Sequence, residues 1–154
     1  MSARSPPPVT ALIAEDEAPQ RRALHEQLLQ AWPGLEIVAV CEDGVSALEA
    51  ATTHRPTVAF LDIRMPGVSG LDVARAVVEQ GGLVVFTTAY DDYAVRAFDA
   101  GAVDYLLKPV QPARVEQAVE RVSKNELGRH GLSLKGHPER LPVSGAFLHR
   151  FRGM

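Results

Sequence analysis

The sequence predicts an α/β fold, a doubly wound parallel sheet of five strands with five helices. Five short, continuous apolar runs alternate with five stretches of helical periodicity. The runs carry no apolar–polar alternation, which fits strands buried on both faces under helical crossovers. Gly and Pro residues punctuate the joints between the two kinds of segment.

The first run, Val9 to Ala14, ends in Glu15-Asp16-Glu17. Pro19 suits the first turn of a helix, whose inner face carries Leu24, Leu28 and Ala31. Trp32-Pro33-Gly34 stops that helix, and Glu36 to Cys41 reads as the second strand. Gly44 to Thr53 forms the second helix, with Val45, Leu48 and Ala51 expected inward. The third strand, Thr57 to Leu61, delivers Asp62, and a Met65-Pro66-Gly67 loop follows. Ser69 to Glu79 is helical, with Leu71, Ala74 and Val78 expected inward, and Gly81-Gly82 break it. Leu83 to Thr87 is the fourth strand, ending at Thr88-Ala89. A fourth helix is expected over about 91–100 and closes at Gly101. Asp104 to Leu107 is the fifth strand, ending at Lys108-Pro109. A fifth helix from about Gln111 buries Val115, Ala118, Val119 and Val122.

The 154 residues suit one domain with length to spare, and 46% apolar residues suffice for a core. Residues 1–8 read as a disordered lead-in, 9–125 as the folded domain and 126–154 as a linker with a stub too short for its own core. The tail holds five bases against two acids, so it is basic, whereas residues 1–125 carry −6 of the −3 total. A net charge this small does not point to nucleic acid or to an anionic membrane. Cys41 is the single cysteine, which excludes an intrachain disulfide and suits a reducing, cytoplasmic setting. No apolar run approaches the ~20 residues of a membrane helix, and the start lacks a secretory signal core. The five histidines show no metal-ligand spacing.

Doubly wound sheets place their sites at the carboxyl ends of the strands. Glu15 and Asp16, Asp62, Thr88 and Lys108 follow strands one, three, four and five, so all are expected at one end of the sheet. Each residue alone has an ordinary explanation, as a cap, a solvated turn or a loop lysine. Together, three crowded carboxylates call for a cation, and an oxygen-only donor set favours a hard ion such as Mg²⁺. Lys108 supplies a point charge for a phosphoryl group and Thr88 a hydroxyl for another oxygen. These parts suit phosphoryl transfer with Asp62 as the nucleophile.

On these residues the chain, from about Val9 to Lys124, resembles a response regulator receiver domain. The resemblance implies a flavodoxin-like strand order of 2-1-3-4-5. It implies Asp62 as phosphoacceptor, with Lys108 and Thr88 completing the catalytic set. Mg²⁺ would be held by Glu15, Asp16, Asp62 and the Arg64 backbone carbonyl, with Glu15 standing where Asp is more usual. Thr88 and Tyr105 would act as switch residues, and the Lys108-Pro109 peptide would be cis. The implied partners are a sensor histidine kinase and a second copy of the chain. The dimer would form through the face of the fourth helix, fifth strand and fifth helix, with Arg96, Asp99 and Asp104 as its charged candidates. Such a chain is not an enzyme beyond its own phosphorylation and dephosphorylation.

The stretch Thr88-Ala89-Tyr90-Asp91-Asp92-Tyr93-Ala94-Val95-Arg96-Ala97-Phe98, followed by Ala102-Val103-Asp104-Tyr105-Leu106-Leu107-Lys108-Pro109, is similar to receivers of the LytTR class of transcription regulators. DNA contact is then expected only through an output domain that is absent or truncated here. Arg64 and Tyr90 flank the expected water approach and would lengthen the phosphoryl lifetime. Two other readings remain: a dimerisation module that works without phosphorylation, and an aspartyl phosphatase. The second is disfavoured because Arg64 stands where such enzymes carry a second acid.

Overall fold

The computed structural model describes residues 8–89 and 100–129, the side chains of 127–129 excepted. Its strands are β1 (Thr10–Ala14), β2 (Glu36–Cys41), β3 (Val58–Asp62), β4 (Leu83–Thr88) and β5 (Asp104–Leu107). Among the described residues there are four helices: α1 (Ala18–Ala31), α2 (Gly44–His54), α3 (Gly70–Glu79) and α4 (Pro112–Arg129). Helix α4 is therefore the fifth helix of the sequence reading. The expected fourth helix, over about 91–100, lies almost wholly outside the described residues, as does the tail from residue 130. One contact unit ends at Val122, and Ser123 to Arg129 is the described part of a second.

The strands form one parallel sheet in the order β2-β1-β3-β4-β5. Their alternation sends successive side chains to opposite faces. On one face Leu12, Ala59, Leu61, Val84 and Phe86 pack with Ala47 and Ala51 of α2 and with Val73, Ala74 and Val77 of α3. On the other face Ile13, Phe60, Val85 and Leu106 pack with Leu24 and Leu28 of α1 and with Val115, Ala118, Val119 and Val122 of α4. The central strand β3 is buried from end to end.

Two expected inward residues point out. Val45 is 53% exposed and Val78 37% exposed, because α2 and α3 turn Gly44, Ala47, Ala51 and Val73, Ala74, Val77 to the sheet instead. Small residues on that side of α2 let the helix approach the strands closely. Local signals start both helices. Asp43 caps α2 by accepting from the Ser46 amide at 2.8 Å, and Ser69 caps α3 by accepting from the amides of Leu71 and Asp72.

Helix α2 ends with Arg55 in the left-handed region, at φ 45° and ψ 61°, where a Cβ is strained. Its side chain is exposed, so it has little packing to lose. Replacing Arg55 with Gly should raise stability by about 0.5–1 kcal/mol. The check is a higher urea midpoint at unchanged slope.

Candidate functional site

Each site residue sits where a strand runs out. Glu15 follows β1, and its amide donates to the Cys41 carbonyl at 3.0 Å, so the acid remains tied to the sheet. Its side chain is buried, while Asp16 beside it is exposed. The Arg21 guanidinium donates to the Glu15 carbonyl at 2.8 Å, and the Glu17 amide donates to Glu15 Oε2 at 3.1 Å. Asp62 is the last residue of β3 and is 4% exposed. The Arg64 amide donates to Asp62 Oδ1 at 3.3 Å, fixing one carboxylate oxygen.

The chain leaving Asp62 is clamped from two sides. A Cβ on Gly70 would lie 2.1 Å from the Asp62 carbonyl oxygen, and one on Gly44 would lie 1.7 Å from that of Val68. Only glycine permits these approaches. The Gly70 amide donates to the Ile63 carbonyl at 2.8 Å, and the Gly44 amide to that of Pro66 at 3.2 Å. The loop is thus pinned to β3 and to the start of α2.

Lys108 follows β5, and its peptide bond to Pro109 is cis. Its Nζ lies 2.8 Å from Glu15 Oε1 and 3.0 Å from Asp62 Oδ2, with the three side chains almost wholly buried. Burial alone would lower the pKa of the ammonium; the bonds to Glu15 and Asp62 outweigh it and raise the pKa. Asp62 moves the other way from a typical acid. Burial, reinforced by Asp16 and Glu15 and only partly countered by Lys108, pushes its pKa up to about 7. One ammonium does not satisfy this group of acids.

Carboxylate oxygens of Glu15, Asp16 and Asp62 all lie within 4.8 Å of one another. A hard divalent cation fits such an oxygen-only set, and Mg²⁺ keeps waters that a phosphate oxygen can displace. An open cavity of about 540 Å³ adjoins the cluster, lined by Asp16, Ile63, Arg64, Met65, Pro66, Ser69 and Leu71. It leaves open space beside Asp16.

The structure brings Glu15, Asp16, Asp62 and Lys108 together. Thr88 ends β4, buried, and its carbonyl accepts from the Lys108 amide at 2.8 Å. Tyr105 is half-buried on β5 and packs on the α2–α3 side of the sheet. The Arg64 side chain is exposed. Tyr90, Arg96 and Asp99 lie outside the described residues. Asp104, expected as a charged candidate of the dimer face, is fully buried in the chain. Its Oδ1 lies 2.9 Å from guanidinium nitrogens of both Arg114 and Arg121 and accepts from the Tyr105 amide at 2.8 Å. Its charge is spent inside the chain, where it fastens α4 to β5. Sequence reasoning missed both arginines, which lie ten and seventeen positions further along with no local pattern to mark them. It also passed over Thr87, which reads as one more strand residue.

The raised Asp62 pKa sets a stability–pH relation. An acid at 3.8 unfolded and about 7 folded favours folding fully below pH 3.8, and that contribution is lost as pH rises through 7. Asp62→Asn removes the loss, so in chelator it should exceed the parent chain by about 1–2 kcal/mol at pH 8, after allowing for solvent screening. Relative to that, its advantage should shrink toward pH 4. Millimolar Mg²⁺ at pH 8 should stabilise the parent chain more than the variant. Thermal melts across pH, with and without Mg²⁺, check both. Separately, Asp104→Ala leaves two arginines facing a void and should cost about 2–4 kcal/mol in urea unfolding.

Residues 11–120 match the family described as Response regulator receiver domain. The chain is 49% identical over 117 residues to an uncharacterized response regulatory protein of Vibrio cholerae, covering 75% of this chain and 45% of that protein. It is 39% identical over 127 residues to the transcriptional regulatory protein BtsR of Escherichia coli, covering 82% of this chain and 52% of that one. The chain thus spans about half the length of the curated relatives it matches. Among solved structures, the REC domain of AraT, a response regulator from Geobacillus stearothermophilus, aligns with a TM-score of 0.71 at 36% identity, over 79% of this chain and 98% of that one. The response regulatory domain of mrkE from Klebsiella pneumoniae aligns with a TM-score of 0.69 at 29% identity, over 76% and 97%. Sheet order, strand-end acids and sequence match agree: the chain belongs to the response regulator receiver domains of two-component signalling.

Proposed function

We propose that Asp62 accepts a phosphoryl group from a sensor histidine kinase and that this switches a dimerisation face. The observation that carries the reading is the buried Glu15–Lys108–Asp62 contact beside Asp16. A carboxylate oxygen of Asp62 attacks phosphorus, the bond from phosphorus to the donor imidazole nitrogen breaks, and an acyl phosphate remains. Lys108 is placed to meet the charge that gathers on the phosphoryl oxygens. Glu15, Asp16, Asp62 and the Arg64 carbonyl are the groups that would hold Mg²⁺, which when bound would offset charge between the acids and the phosphoryl group. The exposed cavity face beside Asp16 and Arg64 is where the donor enters. No turnover of an external ester belongs to this reading.

The Thr88 hydroxyl is the group that turns to the phosphoryl oxygens, and Tyr105, packed on the same face of the sheet, fills the space it leaves. Such a shift would alter the β5–α4 surface, where Arg114 and Arg121 stay about a quarter to a third exposed around the buried Asp104. A second copy of the chain is the partner proposed for that face. The relatives named as BtsR are transcriptional regulators of about twice the matched length. Control of transcription through an output domain of the LytTR class accords with the run from Thr88 to Pro109 and with those names. Among the described residues no helix is long and apolar enough to cross a membrane, and the single cysteine accords with a cytoplasmic setting.

Incubation with acetyl phosphate and Mg²⁺ should raise the intact mass by one phosphoryl group. Asp62→Asn should abolish that rise, and Lys108→Ala should slow it by at least about tenfold, the effect of losing a charge-assisted bond in the transition state. Thr88→Ala should take the group yet lose any phosphorylation-dependent dimer in sedimentation. A chain that dimerises equally with and without acetyl phosphate, and gains no mass, would instead be a phosphorylation-independent interaction module.

A further inference from the structure

The four strands that feed the site share one geometric rule. Ile13, Phe60, Val85 and Leu106 all pack on the face covered by α1 and α4. Two residues further along each strand come Glu15, Asp62, Thr87 and Lys108, so alternation returns all four to that same face. Thr87 pairs in register with Asp62 on one side and with Leu106 on the other. It therefore sits between the phosphoacceptor and the lysine that binds it.

The Lys108 arm has to pass this position. It starts beyond β5 and reaches Asp62 on β3 and Glu15 beyond β1, with β4 in between. Neighbouring strands are about 4.8 Å apart, so the arm crosses the end of β4 on the face that carries Thr87. Thr87 is 1% exposed, and its Oγ1 is buried without a hydrogen-bond partner among the described residues. Buried hydroxyls are ordinarily paired, and valine would fill the same volume without an orphaned group. By alternation Thr88, one residue on, follows Phe86 rather than Val85.

We propose that Thr87 is a positioning residue for Lys108, acting in the phosphorylated chain. The inference rests on Asp62 being the phosphoacceptor. As the bond from Asp62 oxygen to phosphorus forms, the bond from phosphorus to the donor atom breaks, and the imidazole of a phosphohistidine, or acetate when acetyl phosphate is the donor, departs. Lys108 then passes its Asp62 contact to a phosphoryl oxygen while keeping Glu15. An ammonium has three N–H donors; with one shared by the two Glu15 oxygens, which lie 2.8 and 3.1 Å from Nζ, and one on the phosphoryl oxygen, the Thr87 hydroxyl accepts the third, which holds the arm over the new charge. The hydroxyl is unpartnered before transfer and paired as charge moves, so its effect falls on the rate rather than on donor binding.

The full chain with acetyl phosphate and Mg²⁺, followed by intact mass, tests this in Thr87→Val and Thr87→Ser. Valine should lower the maximal phosphorylation rate about fivefold, the worth of one ordinary hydrogen bond, at unchanged half-saturating acetyl phosphate. Serine should restore the rate to within about twofold, and valine should match or exceed the parent in urea stability. A valine variant as fast as the parent, or a serine variant as slow as valine, overturns the assignment while leaving Asp62 as acceptor. A parent chain that gains no phosphoryl group overturns both.

Discussion

The contact on which the site depends is the Lys108 ammonium held between Glu15 and Asp62. It joins groups carried by β1, β3 and β5, so it exists only when all three strands run parallel and end at the same level. It also crosses β4. A slip of one residue in β3 would turn Asp62 to the opposite face and leave the ammonium facing Leu61 or Ile63. Sheet register is thus a condition of the chemistry as much as of the core. The raised pKa of Asp62 shows the other side of the same contact: burial and neighbouring acids outweigh one lysine, and the oxygens of the cluster could hold a cation as well.

The loop after Asp62 carries a second constraint. It bears the Arg64 amide that fixes Asp62 Oδ1, and it lines the cavity in front of the acids. Gly44 and Gly70 hold it because no side chain fits between their backbones and those of Val68 and Asp62. The start of α2 therefore takes part in site geometry without offering any functional group. On the far edge, Asp104 fastens α4 to β5 through Arg114 and Arg121, at the start of the strand that leads to Lys108. Site and scaffold share the same few strand ends.

Much of this was legible in the chain. Two strands, Glu36–Cys41 and Asp104–Leu107, have the bounds that their apolar runs predict. The strand-end positions of Glu15, Asp62, Thr88 and Lys108 followed from alternation of the elements. Helix faces were harder. Val45 and Val78 satisfy helical spacing yet face outward, because the side a helix turns to a sheet depends on how it seats across the strands. Asp104, a charged candidate for the dimer face by resemblance, is buried against arginines that are remote in sequence.

What the sequence by itself determined is the kind of fold and the chemistry at the strand ends: continuous apolar runs demand cover on both faces, and the groups that follow them must emerge together. Only the tertiary structure decided which of those groups touch, that Asp104 is spent on internal arginines, and that the Thr87 hydroxyl is buried without a partner among the described residues. Spacing along a chain is a local property, whereas contact between strand ends depends on strand order, register and the crossing of one side chain over another. Those are set only when the sheet assembles.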